Sequence, residues 1–203
     1  MSEPSTPERA ALLARLRGIA AGQPAPERLD EPAAQSKEPA AADPEQPSAT
    51  DLELVRRLAL DRLARRAHSR HELAQGLARR GCPEAAVTVV LDRLAAVGLI
   101  DDLAFARAWV EQRRQRKGLS LLQLSRELSA KGVSAEIVAQ ALEQSPQLDQ
   151  DIALAVGRSR LGRLAGLERS VWERRLAGQL SRRGFSPAVV RQVVFQLRDE
   201  TAD

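Results

Sequence analysis

The side chains with metal-binding chemistry are few and poorly placed for it. His68 and His71 lie three residues apart, and the single cysteine, Cys82, follows eleven residues after His71. A zinc site needs three or four such ligands around one point, and this set is incomplete. We therefore expect no metal ion, and a lone cysteine leaves no intramolecular disulfide.

The one paired carboxylate that suggests catalysis is Asp101–Asp102, directly before a helical apolar stripe. At that position Asp101 caps the helix, and both negative charges favour its positive N-terminus. The sequence contains neither a glycine-rich phosphate loop nor a Gly-x-Ser-x-Gly elbow. We therefore expect no catalytic residue, no cofactor and no enzymatic activity.

The basic residues carry the stronger signal. The net charge is +4, and arginine outnumbers lysine 28 to 3. One cation near a helix C-terminus is explained by the helix dipole, but four cations within residues 113–117 are not. Arginine also favours bidentate contacts to carboxylate or phosphate, so we expect a surface that contacts an acidic protein patch or nucleic acid. The candidate contact residues are Arg65, Arg66, Arg70, Arg79, Arg80, Arg107, Arg113, Arg114, Arg116, Lys117, Lys131, Arg182 and Arg183.

The elements that position these cations are internal repeats. Gly81, Gly132 and Gly184 follow one another at spacings of 51 and 52 residues. Matching leucines stand eight and four residues before each glycine, and matching valines stand six residues after it. Agreement at several positions without a gap indicates three copies of one unit. The matching leucines are Leu73, Leu77, Leu124, Leu128, Leu176 and Leu180, and the valines are Val87, Val138 and Val190.

Each unit is predicted to form three helices, which makes the protein all-α. The expected repeats are residues 51–99, 100–147 and 148–203. Units of this size bury little surface alone, so we expect them to stack into an elongated, curved array. Ser69 with Glu72 is a capping-box pattern that starts a second helix. Trp109 and Trp172 fall on apolar faces, which favours core packing over base stacking.

Residues 1–50 differ from the rest of the chain. They hold eight of the eleven prolines and carry a net charge of −3, which leaves +7 on the remainder. We expect this arm to be mostly disordered, with one short helix over 7–17. No apolar run is long enough to span a membrane, and no secretory signal is recognisable. The expected protein is cytoplasmic and monomeric, with no membrane partner.

Several segments together resemble the RecX regulatory proteins of bacteria. The likeness covers about residues 51–200, is strongest over 69–142, and keeps both the order and the spacing of its motifs. The arm falls outside it. The matching segments are Ser69–Leu73, Leu77–Gly81, Leu91–Leu94, Gly98–Ala106, Gly118 and Glu127–Val133, with Ile137, Ala141 and Leu142.

The resemblance implies a regulator built from tandem three-helix repeats. Such a protein binds the filament of the RecA recombinase on single-stranded DNA, with single-stranded DNA itself as a second expected partner. It lowers recombination, ATP hydrolysis and co-protease activity, which connects it to DNA repair and the SOS response. End capping, groove blocking and filament disassembly remain alternatives for how it acts. The residues themselves also allow a different function, a DNA-binding regulator of the helix-turn-helix kind.

Overall fold

In a computed structural model, the protein is described over residues 47–145, 147–164 and 166–200. Within these residues the chain forms nine α-helices and no strand, so the all-α prediction is confirmed. The prediction of a disordered arm with a helix at 7–17 lies almost entirely outside them. The helices are α1 (Ala49–Arg65), α2 (Arg70–Ala78), α3 (Glu84–Ala96), α4 (Asp102–Lys117), α5 (Leu121–Ala130), α6 (Ala135–Glu143), α7 (Asp149–Leu164), α8 (Arg169–Arg182) and α9 (Pro187–Glu200).

The helices group in threes, and each group packs in the same way. The first helix of a group lies against the third, and the second packs on both. The chain divides into two compact units, one up to Ile100 and one from Asp101 onward. The first unit contains α1 to α3, and the second contains α4 to α9. Three-helix repeats are thus confirmed, while the limits assigned to them from the sequence stay a prediction.

The repeated leucines and glycines explain why each group folds alike. The six leucines that precede the glycines are fully buried, with 0% of their surface exposed. Gly81, Gly132 and Gly184 have φ of 76°, 71° and 85°, a left-handed conformation that glycine adopts at little cost. The residue after each glycine donates its amide to the carbonyl of the leucine five positions earlier, at 3.3, 3.2 and 3.4 Å. This bond ends the second helix and turns the chain into the third.

Hydroxyl and carboxylate caps fix the starts of the helices. Ser69 and Glu72 form the predicted capping box, and the Asp101 side chain accepts from the amides of two residues in the first turn of α4. Ser120 caps α5 by accepting from the Gln123 amide at 3.1 Å. The return bond of a second capping box is replaced, because the Ser120 amide donates to the Arg183 carbonyl at 3.1 Å.

The cap on α4 gives a first stability prediction. Asp101→Ala removes the acceptor for the amides of Leu103 and Ala104, both at 2.9 Å. We expect the free energy of unfolding of the second unit to fall by about 1 kcal/mol. Asp101→Asn is the control, because asparagine caps as well as aspartate, and it should remain close to the parent protein. Urea titration followed by tryptophan fluorescence measures the second unit selectively, since both tryptophans lie in it. Equal stability of all three proteins would contradict the assigned cap.

Candidate interaction surface

The predicted cations occupy three different environments. Arg65, Arg66, Arg79, Arg80, Arg107, Arg116, Lys117 and Arg182 are exposed. Arg70, Arg113, Lys131 and Arg183 are half-buried, and Arg114 is buried. Each unit presents its own set, with the first five residues of the prediction in the first unit and the other eight in the second.

In the first unit, two of the predicted arginines are already engaged with carboxylates. Arg70 donates to Asp92 at 2.7 Å, and Arg66 lies 3.6 Å from Glu72. Solvent-exposed ion pairs of this kind contribute little to stability. Carboxylates or phosphates of a partner can therefore replace them. Arg79 and Arg80 follow the end of α2 and are exposed.

In the second unit, the cluster at 113–117 is divided by the fold. The Arg114 side chain is 2% exposed and donates to Asp149 at 2.8 Å and to the Gln147 carbonyl at 2.6 Å. Asp149 also accepts from the Leu121 amide at 3.0 Å. Arg114 is therefore buried, and its guanidinium joins the end of α4 to the start of α7. Its part in a contact surface stays a prediction.

Arg113 and Lys131 are placed around Trp109 instead of pointing freely into solvent. The Arg113 guanidinium carbon lies 4.0 Å from the ring centroid, and the Lys131 ammonium lies 4.2 Å from it. Glu127 accepts from the indole N–H at 2.9 Å and lies 3.1 Å from Arg113 Nε. Each cation–π contact contributes roughly 0.5–1 kcal/mol at such a site. Trp109 is half-buried, whereas Trp172 is buried in the core of the third repeat, as predicted.

Arg183 links the second and third repeats inside the second unit. Its Nε donates to the Lys117 carbonyl at 3.2 Å, and its own carbonyl accepts from the Ser120 amide. Burial, together with the positive charges of Arg160 and Arg182, lowers the pKa of the Arg183 guanidinium from its ordinary value. Arg116 and Lys117 stay exposed beside this link.

The residues considered for metal chemistry are separated by their environments. His68 is buried with its Nδ1 3.6 Å from Glu72, His71 contacts Gln75 at the surface, and Cys82 packs partly against the core of the first repeat. Across residues 47–145, 147–164 and 166–200, no group of three or more metal-binding side chains comes together. Within the same ranges, no helix has the length and apolar character needed to span a membrane.

Three successive three-helix domains with one helix order define this chain as an all-α repeat protein. Models of the first, second and third three-helix domains of RecX match residues 56–94, 101–142 and 147–194. The regulatory protein RecX of Streptomyces coelicolor is 38% identical over 153 residues, which are 75% of this chain and 81% of that protein. The chain belongs to the RecX family of regulatory proteins.

A second relative agrees with this assignment, and two solved structures share the fold. The regulatory protein RecX of Mycobacterium avium is 44% identical over 146 residues, which are 70% of this chain and 84% of that protein. The crystal structure of RecX from Lactobacillus salivarius superposes with a TM-score of 0.65 at 19% identity, over 74% of this chain and 99% of that chain. A crystal structure of a regulatory protein RecX gives a TM-score of 0.62 at 22% identity, over 71% and 72%. At these identities the two structures support the fold.

Proposed function

We propose that this protein binds the filament that the RecA recombinase forms on single-stranded DNA and inhibits its recombination, ATP hydrolysis and co-protease activities. The protein acts by binding and carries out no reaction of its own. The observation that carries the proposal is the match of all three domains to RecX. The exposed cations of both units supply groups that suit an acidic protein surface or a DNA backbone.

The activity of the recombinase gives the direct test. RecA hydrolysing ATP on single-stranded DNA is titrated with the full-length protein, and the hydrolysis rate is expected to fall as the ratio of protein to recombinase rises. An unchanged rate at several-fold excess contradicts the proposal. Binding of the protein alone to labelled duplex DNA tests the other function, since a helix-turn-helix regulator would bind and protect a duplex sequence.

A paired variant tests the exposed cations next to the junction of the second and third repeats. Arg116→Ala with Lys117→Ala removes two exposed positive charges and leaves the buried Arg114 in place. We expect the affinity for the filament to fall about tenfold, because two lost ion pairs at exposed sites, at about 0.7 kcal/mol each, together cost about 1.4 kcal/mol. Binding is measured by fluorescence anisotropy of a labelled recombinase–DNA filament.

The matched control removes the same number of charges from the third repeat. Arg163 and Arg175 are exposed, lie in α7 and α8, and belong to none of the contacts described above. Arg163→Ala with Arg175→Ala loses as much positive charge as the test variant but none of the proposed contacts. It should therefore bind within about twofold of the parent protein. If both double variants weaken binding equally, net charge alone drives association and the pair Arg116 and Lys117 has no specific part.

A further inference from the structure

A basic cleft lies between the second and third repeats, inside the second unit. Its volume is about 360 Å³, and it is formed by the end of α4, the middle of α7 and the residue after α8. Five of its lining side chains are cations, and none is a carboxylate. The cations are Arg114, Arg116, Lys117, Arg160 and Arg183.

Two of these cations form hydrogen bonds within the protein, whereas Arg160 has a nitrogen without a partner among the described residues. Arg114 is bound by Asp149, and Arg183 donates to the carbonyls of Lys117 and Gln179. The Nε of Arg160 is buried and has no hydrogen-bond partner among the described residues. Because this atom is shielded from solvent, a ligand in the cleft would meet the terminal nitrogens of the half-buried Arg160 side chain instead.

The electrostatics of the cleft agree with its geometry. Burial first, and then the positive charge of Arg160, lower the pKa of Arg183, and both guanidinium groups line the one cleft. The helix dipole accounts for cations in the last turn of α4. It does not account for Arg160, which stands before the last turn of α7. An anion between these groups would offset their positive charges.

We propose that this cleft binds consecutive phosphates of a single-stranded nucleic acid, with Arg116, Lys117 and Arg160 as the contacting cations. The inference rests on the proposed function in one respect, which is that the protein binds its target on single-stranded DNA. Phosphate oxygens accept hydrogen bonds and donate none, as the cleft requires. The amide groups of Gln115 and Gln147 add neutral donors along its wall.

A nucleic acid strand suits the cleft better than an acidic peptide. A strand carries one negative charge on every nucleotide, so three cations around one cleft meet a charge wherever the strand passes. A peptide needs glutamates or aspartates at the matching positions. The apolar side chains of Ile152, Ala155 and Val156 line the same cleft, and they offer a surface to the sugars between phosphates.

The test uses the full-length protein without recombinase and a fluorescein-labelled oligothymidylate. Lys117→Gln with Arg160→Gln removes two of the proposed contacts and should weaken binding about tenfold at low salt. Arg163→Gln with Arg175→Gln is the control with equal charge loss, and it should stay within about twofold. Arg160→Lys keeps the charge and should keep most of the affinity, which separates loss of contact from loss of fold. Circular dichroism of each variant reports the helices.

The salt dependence is the sharper readout. For single strands the slope of log affinity against log salt changes by about 0.7 for each phosphate contact. The double variant in the cleft should therefore reduce the slope by about 1.4, and the control variant should leave it unchanged. An unchanged slope in a folded cleft variant overturns the proposal.

Two further probes identify the ligand class. Polyglutamate of equal charge, at matched ionic strength, should bind more weakly than the oligonucleotide and be insensitive to the cleft variant. Equal binding with equal sensitivity would assign the cleft to an acidic protein segment and overturn the proposal. Inorganic pyrophosphate that binds as tightly as the strand would assign it to a free phosphate compound instead. A loss of oligonucleotide binding by the cleft variant with inhibition of RecA intact supports the cleft and leaves the proposed function standing. If the oligonucleotide binds the cleft variants as tightly as the parent protein, this inference is refuted and the proposed function is not.

Discussion

Arg114→Ala should lower the free energy of unfolding of the second unit by roughly 2–3 kcal/mol, because two acceptors lose their donor and the buried side chain leaves a void. The guanidinium is 2% exposed and donates to Asp149 and to the Gln147 carbonyl. Alanine leaves the Asp149 carboxylate with one hydrogen-bond donor fewer and opens a void beside it. The midpoint of urea unfolding, followed by tryptophan fluorescence, measures the loss.

Arg116→Ala is the control for this measurement. It removes the same side chain two residues later on the same helix, where the arginine is exposed, and it should change stability by less than about 0.5 kcal/mol. Arg114→Lys should fall between the two, because lysine keeps the charge and loses the fork that reaches both acceptors. If Arg114→Ala and Arg116→Ala unfold at the same urea concentration, the pair with Asp149 does not hold the repeats together.

The register of the repeats could be predicted from the sequence because short-range physics determines it. Leucines eight and four residues before a glycine lie on one face of a helix, and the left-handed turn at the glycine ends that helix. All six leucines are buried, and all three glycines have positive φ. Helix α4 begins directly after Asp101, the residue predicted to cap it. Each of these features depends on residues within a few turns of one another.

The division of the 113–117 cluster depends on contacts between distant residues. Arg114 lies four residues after Val110 and eight after Ala106, so helical periodicity placed it on the buried face of α4. Charge clustering gave the opposite interpretation. The conflict is resolved by Asp149, 35 residues further along the chain, and nothing local to Arg114 identifies that partner. A cation on an apolar stripe is therefore a signal for a buried ion pair.

The same limit explains the contacts that sequence reasoning missed. The Ser120 amide donates to the carbonyl of Arg183, 63 residues away, in place of the local return bond that completes a capping box. Arg160 is not among the contact residues predicted from the sequence, and it enters the basic cleft because α7 packs beside the end of α4. Pairing across repeats depends on how the repeats dock, which the pattern within one repeat does not specify.

Gly184→Ala should destabilise the second unit by roughly 2–5 kcal/mol, because it adds two separate costs. The first is backbone strain, since φ is +85° and an alanine in the left-handed region costs roughly 1–2 kcal/mol. The second is a clash across the junction of repeats. A Cβ at this position would lie 2.6 Å from Ser120 Oγ and 2.8 Å from Gln123 Cβ, and overpacking of this kind costs about 1–3 kcal/mol.

Gly166→Ala isolates the first cost within the same unit. Its φ is +86°, and a Cβ there meets none of the described atoms within 4 Å. It should therefore lose only the strain of about 1–2 kcal/mol. Urea unfolding of both variants measures the difference, which is the contribution of the contact between Gly184 and the start of α5. Equal destabilisation of the two proteins would show that the repeats do not pack closely at this glycine. A larger loss in Gly184→Ala would place the junction there, because only a neighbour across the repeats distinguishes two glycines of the same conformation.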